Sequence, residues 1–194
     1  PPIRGLLIDW DGVLTIQGRP IPGAAESLVA LRAAGVPFRV LTNVTMRSRA
    51  ELARRLADAG IPVVAGEIHT AASLAAGYLR AAGARRLQLL LRGTAVEEFA
   101  GFELADDAPE WVVVGDMGDD FTAGVMNAAY RSLLAGARLL ALQHNRAWTA
   151  PDGPRLDVGA WTAALEFASR QEAVVIGKPA PAAFRLPCEE MGLP

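Results

Sequence analysis

Residues 6–14 read Leu6-Leu7-Ile8-Asp9-Trp10-Asp11-Gly12-Val13-Leu14, an apolar run that ends in Asp-x-Asp-Gly. The apolar part, residues 3–8, is too short for a typical helix and too apolar for a half-exposed strand, so it predicts a parallel strand covered on both faces. Ligands of open parallel sheets bind beyond the carboxyl ends of the strands. Asp9 is therefore a candidate nucleophile or Mg²⁺ ligand, and Asp11 a candidate general acid and base. An ordinary Asp-Gly turn is the alternative interpretation.

A second apolar segment, residues 36–41, ends in Thr42 and Asn43. A hydroxyl and an amide at the end of a neighbouring strand can both donate hydrogen bonds to a phosphate oxygen. Ser48 and Glu51 then have the spacing of a capping box, which predicts the start of a helix. The alternative is that Thr42 and Asn43 are ordinary linker residues.

The third segment, Val174-Val175-Ile176-Gly177-Lys178-Pro179, predicts a short strand with one lysine at its exit. A fixed ammonium there could neutralise Asp9 and a phosphate bound to it. A solvated surface lysine is the alternative.

Composition narrows the class of protein. The chain has 194 residues, 52% hydrophobic content and a net charge of −2, which predicts a sizeable core and no nucleic-acid partner. It contains no apolar run long enough for a membrane span. The single cysteine, Cys188, and an N-terminal sequence unlike a signal peptide favour a cytoplasmic location.

Helices and strands alternate along the chain, which predicts an α/β fold. Glycines 35, 60 and 83 mark the ends of the first three helices. Helices are predicted over residues 24–34, 49–59, 67–82, 95–100, 121–135 and 160–169 and from Ala180, and further strands over 87–91, 111–114 and 138–142.

Together and in this order, the three segments resemble the haloacid dehalogenase superfamily of phosphohydrolases, through residues 9–14, 41–43 and 177–179. The stretch between the second and third resembles the large C2-type cap of the NagD-like subclass IIA. Residues 114–137 and 156–167 resemble the branch that includes phospholysine phosphohistidine inorganic pyrophosphate phosphatase. The resemblance implies a three-layer, Rossmann-like parallel-sheet core with an inserted α/β cap. The expected division is 1–83 core, 84–171 cap and 172–194 core.

The resemblance also implies a Mg²⁺-dependent phosphatase that hydrolyses small phosphorylated metabolites through an aspartyl-phosphate. The Asp9 carboxylate and the Asp11 backbone carbonyl would hold the metal, Asp9 would attack phosphorus, and Asp11 would transfer protons. Thr42, Asn43 and Lys178 would stabilise the charge on the phosphoryl group.

Residues 143–148 resemble the specificity loop of the relatives. Arg146 could pair with an anionic substrate and Trp148 could stack on an aromatic one. A solvated loop with one anchoring tryptophan is the alternative. Because relatives often pair through their caps, a homodimer through the cap is a further expectation.

The family pattern has a fourth element, a strand after the lysine that ends in Gly-Asp followed by another Asp. The 194 residues end before such a strand, so we expect the C-terminal part of the core to be missing and these residues alone to be inactive. The segment 115–120, Gly115-Asp116-Met117-Gly118-Asp119-Asp120, has similar letters. It precedes Lys178, so we interpret it as a loop that leads into the helix at Phe121.

Two other classes of protein stay open at this point. A phosphoryl-accepting signalling domain also combines aspartates, a threonine and a lysine on a parallel sheet, but its accepting aspartate follows a middle strand, where this chain has Thr42. A binding or scaffold protein that keeps the fold without catalysis would explain the absent fourth element.

Overall fold

A computed structural model describes residues 3–16 and 18–193 of the chain. The strands are β1 Leu6–Asp9, β2 Thr15–Ile16, β3 Arg19–Pro20, β4 Phe38–Thr42, β5 Ile68–Thr70, β6 Arg86–Leu90, β7 Glu103–Leu104, β8 Trp111–Val114, β9 Arg138–Ala141, β10 Ala147–Ala150, β11 Gly153–Leu156 and β12 Val174–Val175. The helices are α1 Ala24–Ala33, α2 Arg49–Asp58, α3 Ala71–Ala81, α4 Ala123–Leu134, α5 Val158–Ser169 and α6 Pro181–Glu190, with short 3₁₀ helices at Ala65–Glu67, Thr94–Phe99 and Gly118–Asp120.

The strands form two parallel sheets and two small antiparallel hairpins. The smaller parallel sheet has the order β1-β4-β5 and the larger one the order β12-β9-β8-β6-β7. The hairpins pair β2 with β3 and β10 with β11. The predicted α/β fold with parallel sheets is confirmed.

The larger sheet is covered by helices on both faces. Alternate side chains of a strand point to opposite faces of the sheet, so neighbouring residues of β8 pack in different cores. Trp111 and Val113 of β8 pack in one core with α3, whereas Val112 and Val114 pack in another with α4 and α5. Leu41 of β4 belongs to the same core as α3, so this helix connects the two sheets.

The division at 83/84 and 171/172 stays a prediction. The larger sheet begins at Arg86 and continues to Val175, because Val174 of β12 pairs with Leu140 of β9. The strand before Lys178 therefore belongs to the same sheet as β6, β8 and β9, while the lysine that follows it points back to β1.

Strand β1 is less buried than its sequence predicted. Residues 6–8 are half-buried, whereas Val40 and Leu41 of β4 are almost fully buried. The reason is that β1 lies at the edge of its sheet within the described residues and pairs with β4 alone.

The predicted helix over 67–82 is wrong in its first turn. Ile68 pairs with Val40 in β5, and α3 starts only after Thr70. The Thr70 hydroxyl accepts a hydrogen bond from the Ser73 backbone N–H at 3.0 Å, and the Ser73 hydroxyl accepts one from the Thr70 N–H at 3.0 Å. This reciprocal cap, together with burial of Ile68 against β4, favours a strand followed by a helix.

Across residues 3–16 and 18–193, no helix has both the length and the apolar character that crossing a membrane requires.

Candidate functional site

A cavity of about 580 Å³ lies where the carboxyl ends of strands from both sheets meet. Asp9 at the end of β1 and Thr42 at the end of β4 line it from the smaller sheet. Asp116 after β8 and Gln143 after β9 line it from the larger sheet. The remaining lining residues are Asp11, Asn43, Val44, Thr45, Met46, Arg47, Asn145, Trp148, Asp157 and Lys178. The site is thus at the edge where parallel sheets bind ligands.

Asp9 and Lys178 form an ion pair at this edge, although 169 residues separate them. The Lys178 ammonium lies 2.5 Å from Asp9 Oδ1 and donates a second hydrogen bond to the Leu41 carbonyl at 3.3 Å. The Trp10 backbone N–H donates to the same Asp9 oxygen at 2.7 Å. Oδ2 of Asp9 has no hydrogen bond within the described residues. The side chain is half exposed to the cavity, so this oxygen is accessible to a ligand.

Asn43 holds the backbone of Lys178. Its amide oxygen accepts a hydrogen bond from the Lys178 N–H and its amide nitrogen donates to the Lys178 carbonyl, both at 2.8 Å. Gly177 allows this approach, because an added Cβ would lie 2.8 Å from Asn43 Oδ1. A direct bond from Asn43 to a substrate stays a prediction; the structure assigns its side chain to the positioning of Lys178.

Thr42 lines the cavity and is buried. Its hydroxyl accepts a hydrogen bond from the Val44 N–H at 3.2 Å, which shapes the first turn of the loop after β4. Since a hydroxyl can accept and donate at once, its proton remains available for a ligand oxygen.

Asp11 lies beside Asp9 at the start of a tight turn. Gly12 closes this turn by donating its N–H to the Thr15 carbonyl at 2.8 Å. Although the residue as a whole is exposed, partial burial raises the pKa of the Asp11 carboxyl, and the charge of Asp9 raises it further. Lys178 and Arg47 oppose this shift. A raised pKa favours the protonated form that a proton donor requires.

The two residues predicted from the specificity loop differ in their placement. Trp148 lies on β10 and lines the cavity with 45% of its surface exposed. Arg146 is exposed just before β10 and is not among the residues that line the cavity. Its substrate-binding role stays a prediction, whereas Arg47 does line the cavity.

Sequence reasoning missed three charged residues of the cavity: Arg47, Asp116 and Asp157. Asp116 belongs to the segment 115–120, which forms a loop and a 3₁₀ helix ahead of α4, as predicted except that α4 begins at Ala123. Its position two residues after a buried strand was the signal that could have identified it. Asp157 caps α5 through the Val158 N–H at 2.8 Å and accepts a bond from Gln143 at 2.7 Å.

The carboxylates of the cavity could supply some, but not all, of the oxygen ligands of a hard cation such as Mg²⁺. Within the described residues no group of three or more His, Cys, Asp or Glu side chains has the arrangement of a metal site. Mg²⁺ in phosphate-handling sites is often held by one or two carboxylates, with water and phosphate oxygens as the other ligands. The Asp9 carboxylate and Asp11 supply that smaller donor set.

The chain is similar to known proteins over most of its length. Residues 6–104 match a family model described as haloacid dehalogenase-like hydrolase. Among curated proteins, haloacid dehalogenase-like hydrolase domain-containing protein 2 of Rattus norvegicus is 36% identical over 177 residues, which are 91% of this chain and 67% of the relative. Phospholysine phosphohistidine inorganic pyrophosphate phosphatase of Bos taurus is 34% identical over 197 residues, covering 98% of this chain and 72% of the relative.

Solved structures agree with this match. A p-nitrophenyl phosphatase from Archaeoglobus fulgidus superposes with a TM-score of 0.91 at 31% identity, covering all of this chain and 76% of the other. NagD from E. coli K-12 superposes with a TM-score of 0.89 at 29% identity, covering 98% and 76%.

Proposed function

The chain belongs to the haloacid dehalogenase-like hydrolase family, and we propose that it hydrolyses small phosphorylated metabolites through an aspartyl-phosphate. The sequence predicted both the family and its NagD-like subclass. The names of the relatives support a phosphatase. The single observation that carries the proposal is the contact between the Lys178 ammonium and Asp9 Oδ1 at the cavity. It holds one carboxylate oxygen and leaves the other accessible.

In the first step, Oδ2 of Asp9 attacks phosphorus and the bond from phosphorus to the leaving oxygen breaks. Asp11 gives its proton to that oxygen, and the partial burial that raises its pKa favours the protonated form that this step requires. Lys178 and the Thr42 hydroxyl face the phosphoryl oxygens and stabilise their charge.

In the second step, water attacks the phosphorus of the aspartyl-phosphate. The Asp11 carboxylate takes a proton from this water, and the bond between Oδ2 and phosphorus breaks. Inorganic phosphate leaves and Asp9 returns to the carboxylate form, so the chain ends the cycle unchanged.

Mg²⁺, held by the Asp9 carboxylate and the Asp11 backbone carbonyl, would supply positive charge to the phosphate oxygens. The cytoplasmic location and a homodimer through the cap remain predictions from the sequence.

The test is Asp9→Asn in the full-length protein, a change that keeps the shape of the side chain and removes the nucleophile. We expect the variant to lose all measurable turnover of phosphate esters in the presence of Mg²⁺ while its thermal unfolding midpoint stays close to that of the wild type. Asp116→Asn is the matched control, since Asp116 lines the same cavity and its side chain bonds only the Gly118 N–H within the described residues. Undiminished turnover in Asp9→Asn would contradict the proposed nucleophile.

A further inference from the structure

The loop over residues 43–48, between β4 and α2, is held by the 3₁₀ helix Thr94–Phe99. The Ala95 N–H donates to the Met46 carbonyl at 3.3 Å. The buried Glu98 carboxylate accepts hydrogen bonds from the Arg49 N–H at 2.7 Å and from Arg49 Nε at 3.0 Å. The part of the chain that follows β6 thus fixes a loop that belongs to the smaller sheet.

Thr94 forms two hydrogen bonds to this region, and the donor and acceptor of each can be assigned. Its hydroxyl lies 3.0 Å from the Ser48 N–H and 2.5 Å from Glu51 Oε2. Because the Ser48 N–H can only donate, the single hydroxyl proton of Thr94 is donated to Glu51. That hydrogen bond holds the pKa of Glu51 below its usual value, so this carboxylate stays ionised.

Glu51 connects Thr94 to the cavity. The Ser48–Glu51 spacing predicted a reciprocal capping box, but only one half is present. The Ser48 hydroxyl accepts from the Glu51 N–H at 3.3 Å, whereas the Glu51 carboxylate turns to other partners. Its Oε1 lies 2.8 Å from Arg55 Nη2 and 3.3 Å from Arg47 Nε.

Arg47 is a candidate anion-binding side chain. It lines the cavity with Asp9, Asp11 and Lys178, and 42% of its side chain is exposed. Glu51 contacts it through Nε, and within the described residues neither Nη donates a hydrogen bond. The two Nη groups are therefore available to a phosphate or to an acidic substituent.

We infer that Arg47 binds the anion in this cavity and that Thr94 is its positioning residue, acting through Glu51. The inference rests on the proposed function in that the anion is the phosphate of the substrate. The hydrogen bond from Thr94 to Glu51 is not needed to cap α2, because the Ser48 hydroxyl already caps that helix.

The experiment is a double-mutant cycle on Thr94→Val and Arg47→Gln, read as the Kd for inorganic phosphate by calorimetry and as KM and kcat for a phosphate ester. We expect Arg47→Gln to raise Kd and KM about tenfold and Thr94→Val to raise them about threefold, with a smaller change in kcat. In the Arg47→Gln background, Thr94→Val should add less than about twofold, because its effect passes through Arg47.

Three further variants keep the cycle interpretable. Thr94→Ser retains the hydroxyl and should restore wild-type values. Glu51→Gln interrupts the same connection and should behave like Thr94→Val, which covers the case that Thr94→Val does not fold. Arg55→Gln is the matched control. Arg55 is the other cation that contacts Glu51, and within the described residues Arg55 does not line this cavity. The variant should leave the Kd for phosphate unchanged.

Additive effects of Thr94→Val and Arg47→Gln would overturn the positioning role, and a wild-type Kd in Arg47→Gln would overturn the anion site. Either result with wild-type turnover intact leaves the proposed function standing. Phosphate binding with the expected cycle but no turnover of any ester would instead overturn the proposed function alone.

Discussion

Replacing Asn43 by alanine separates two roles for this residue. The sequence pattern predicts a direct bond from Asn43 to the substrate, whereas the structure shows two 2.8 Å hydrogen bonds to the backbone of Lys178. Each such bond contributes about 1 kcal/mol net, so their joint loss should lower the free energy of unfolding by about 2 kcal/mol. A displacement of Lys178 by about 1 Å should also lower kcat by about 100-fold.

The assay is urea unfolding together with steady-state kinetics on one phosphate ester. Asn145→Ala is the matched control, because Asn145 lines the same cavity and its side chain forms no hydrogen bond within the described residues. We expect its unfolding free energy to stay within about 0.5 kcal/mol of the wild type. If Asn43→Ala raises KM while kcat and stability stay at wild-type values, the positioning role is wrong and a direct contact with substrate is favoured.

Gly177→Ala tests the contact between Asn43 and the Lys178 backbone by adding a methyl group next to it. The new Cβ would lie 2.8 Å from Asn43 Oδ1 and would collide with the Leu142 carbonyl oxygen. Such overpacking should cost about 1–3 kcal/mol of stability and should lower kcat in parallel. A stable, fully active Gly177→Ala protein would show that the exit of β12 is not tightly held.

Three further predictions concern the acid, the core and pH. Asp11→Asn should lose most turnover of esters with poor leaving groups and spare more of it with activated aryl phosphates, because protonation matters most for a basic leaving oxygen; equal losses in kcat would contradict a proton donor. Leu139→Ala, a fully buried site in β9, should cost about 2–5 kcal/mol in urea unfolding, against less than about 0.5 kcal/mol for the exposed Leu134→Ala. Burial lowers the pKa of His69; Arg39 and Arg49 lower it further, whereas the charge of Glu190 raises it. The folded state therefore favours neutral His69, so the contribution of this residue to folding stability is complete above about pH 6.5 and is lost as the pH falls. The stability of His69→Gln should therefore depend less on pH than that of the wild type between about pH 7 and about pH 5, and parallel curves would refute this.

Local signals determined much of the architecture. The Trp111–Val114 strand was predicted to the residue, because a run of four buried apolar side chains allows little else. Most helix ends were also close, since caps and glycines act within one turn: the Ser48 cap set the start of α2 and Gly60 its end. Apolar periodicity was sufficient for the α/β class. The polar residues at three strand ends, together with the family resemblance, predicted Asp9, Thr42 and Lys178 at one site; all three line one cavity, and their roles stay predictions.

Tertiary structure decided what those local signals could not. Asn43 bonds the Lys178 backbone 135 residues away, and Thr94, 43 residues after Glu51, bonds one oxygen of the Glu51 carboxylate while Arg47 contacts the other. Such pairings depend on distances between elements that are remote along the chain, which no window of sequence contains. The same holds for β5, whose three residues are a strand only because β4 lies beside them. The sequence by itself therefore determined which residue types end each strand, and the packing of the two sheets determined which of them meet.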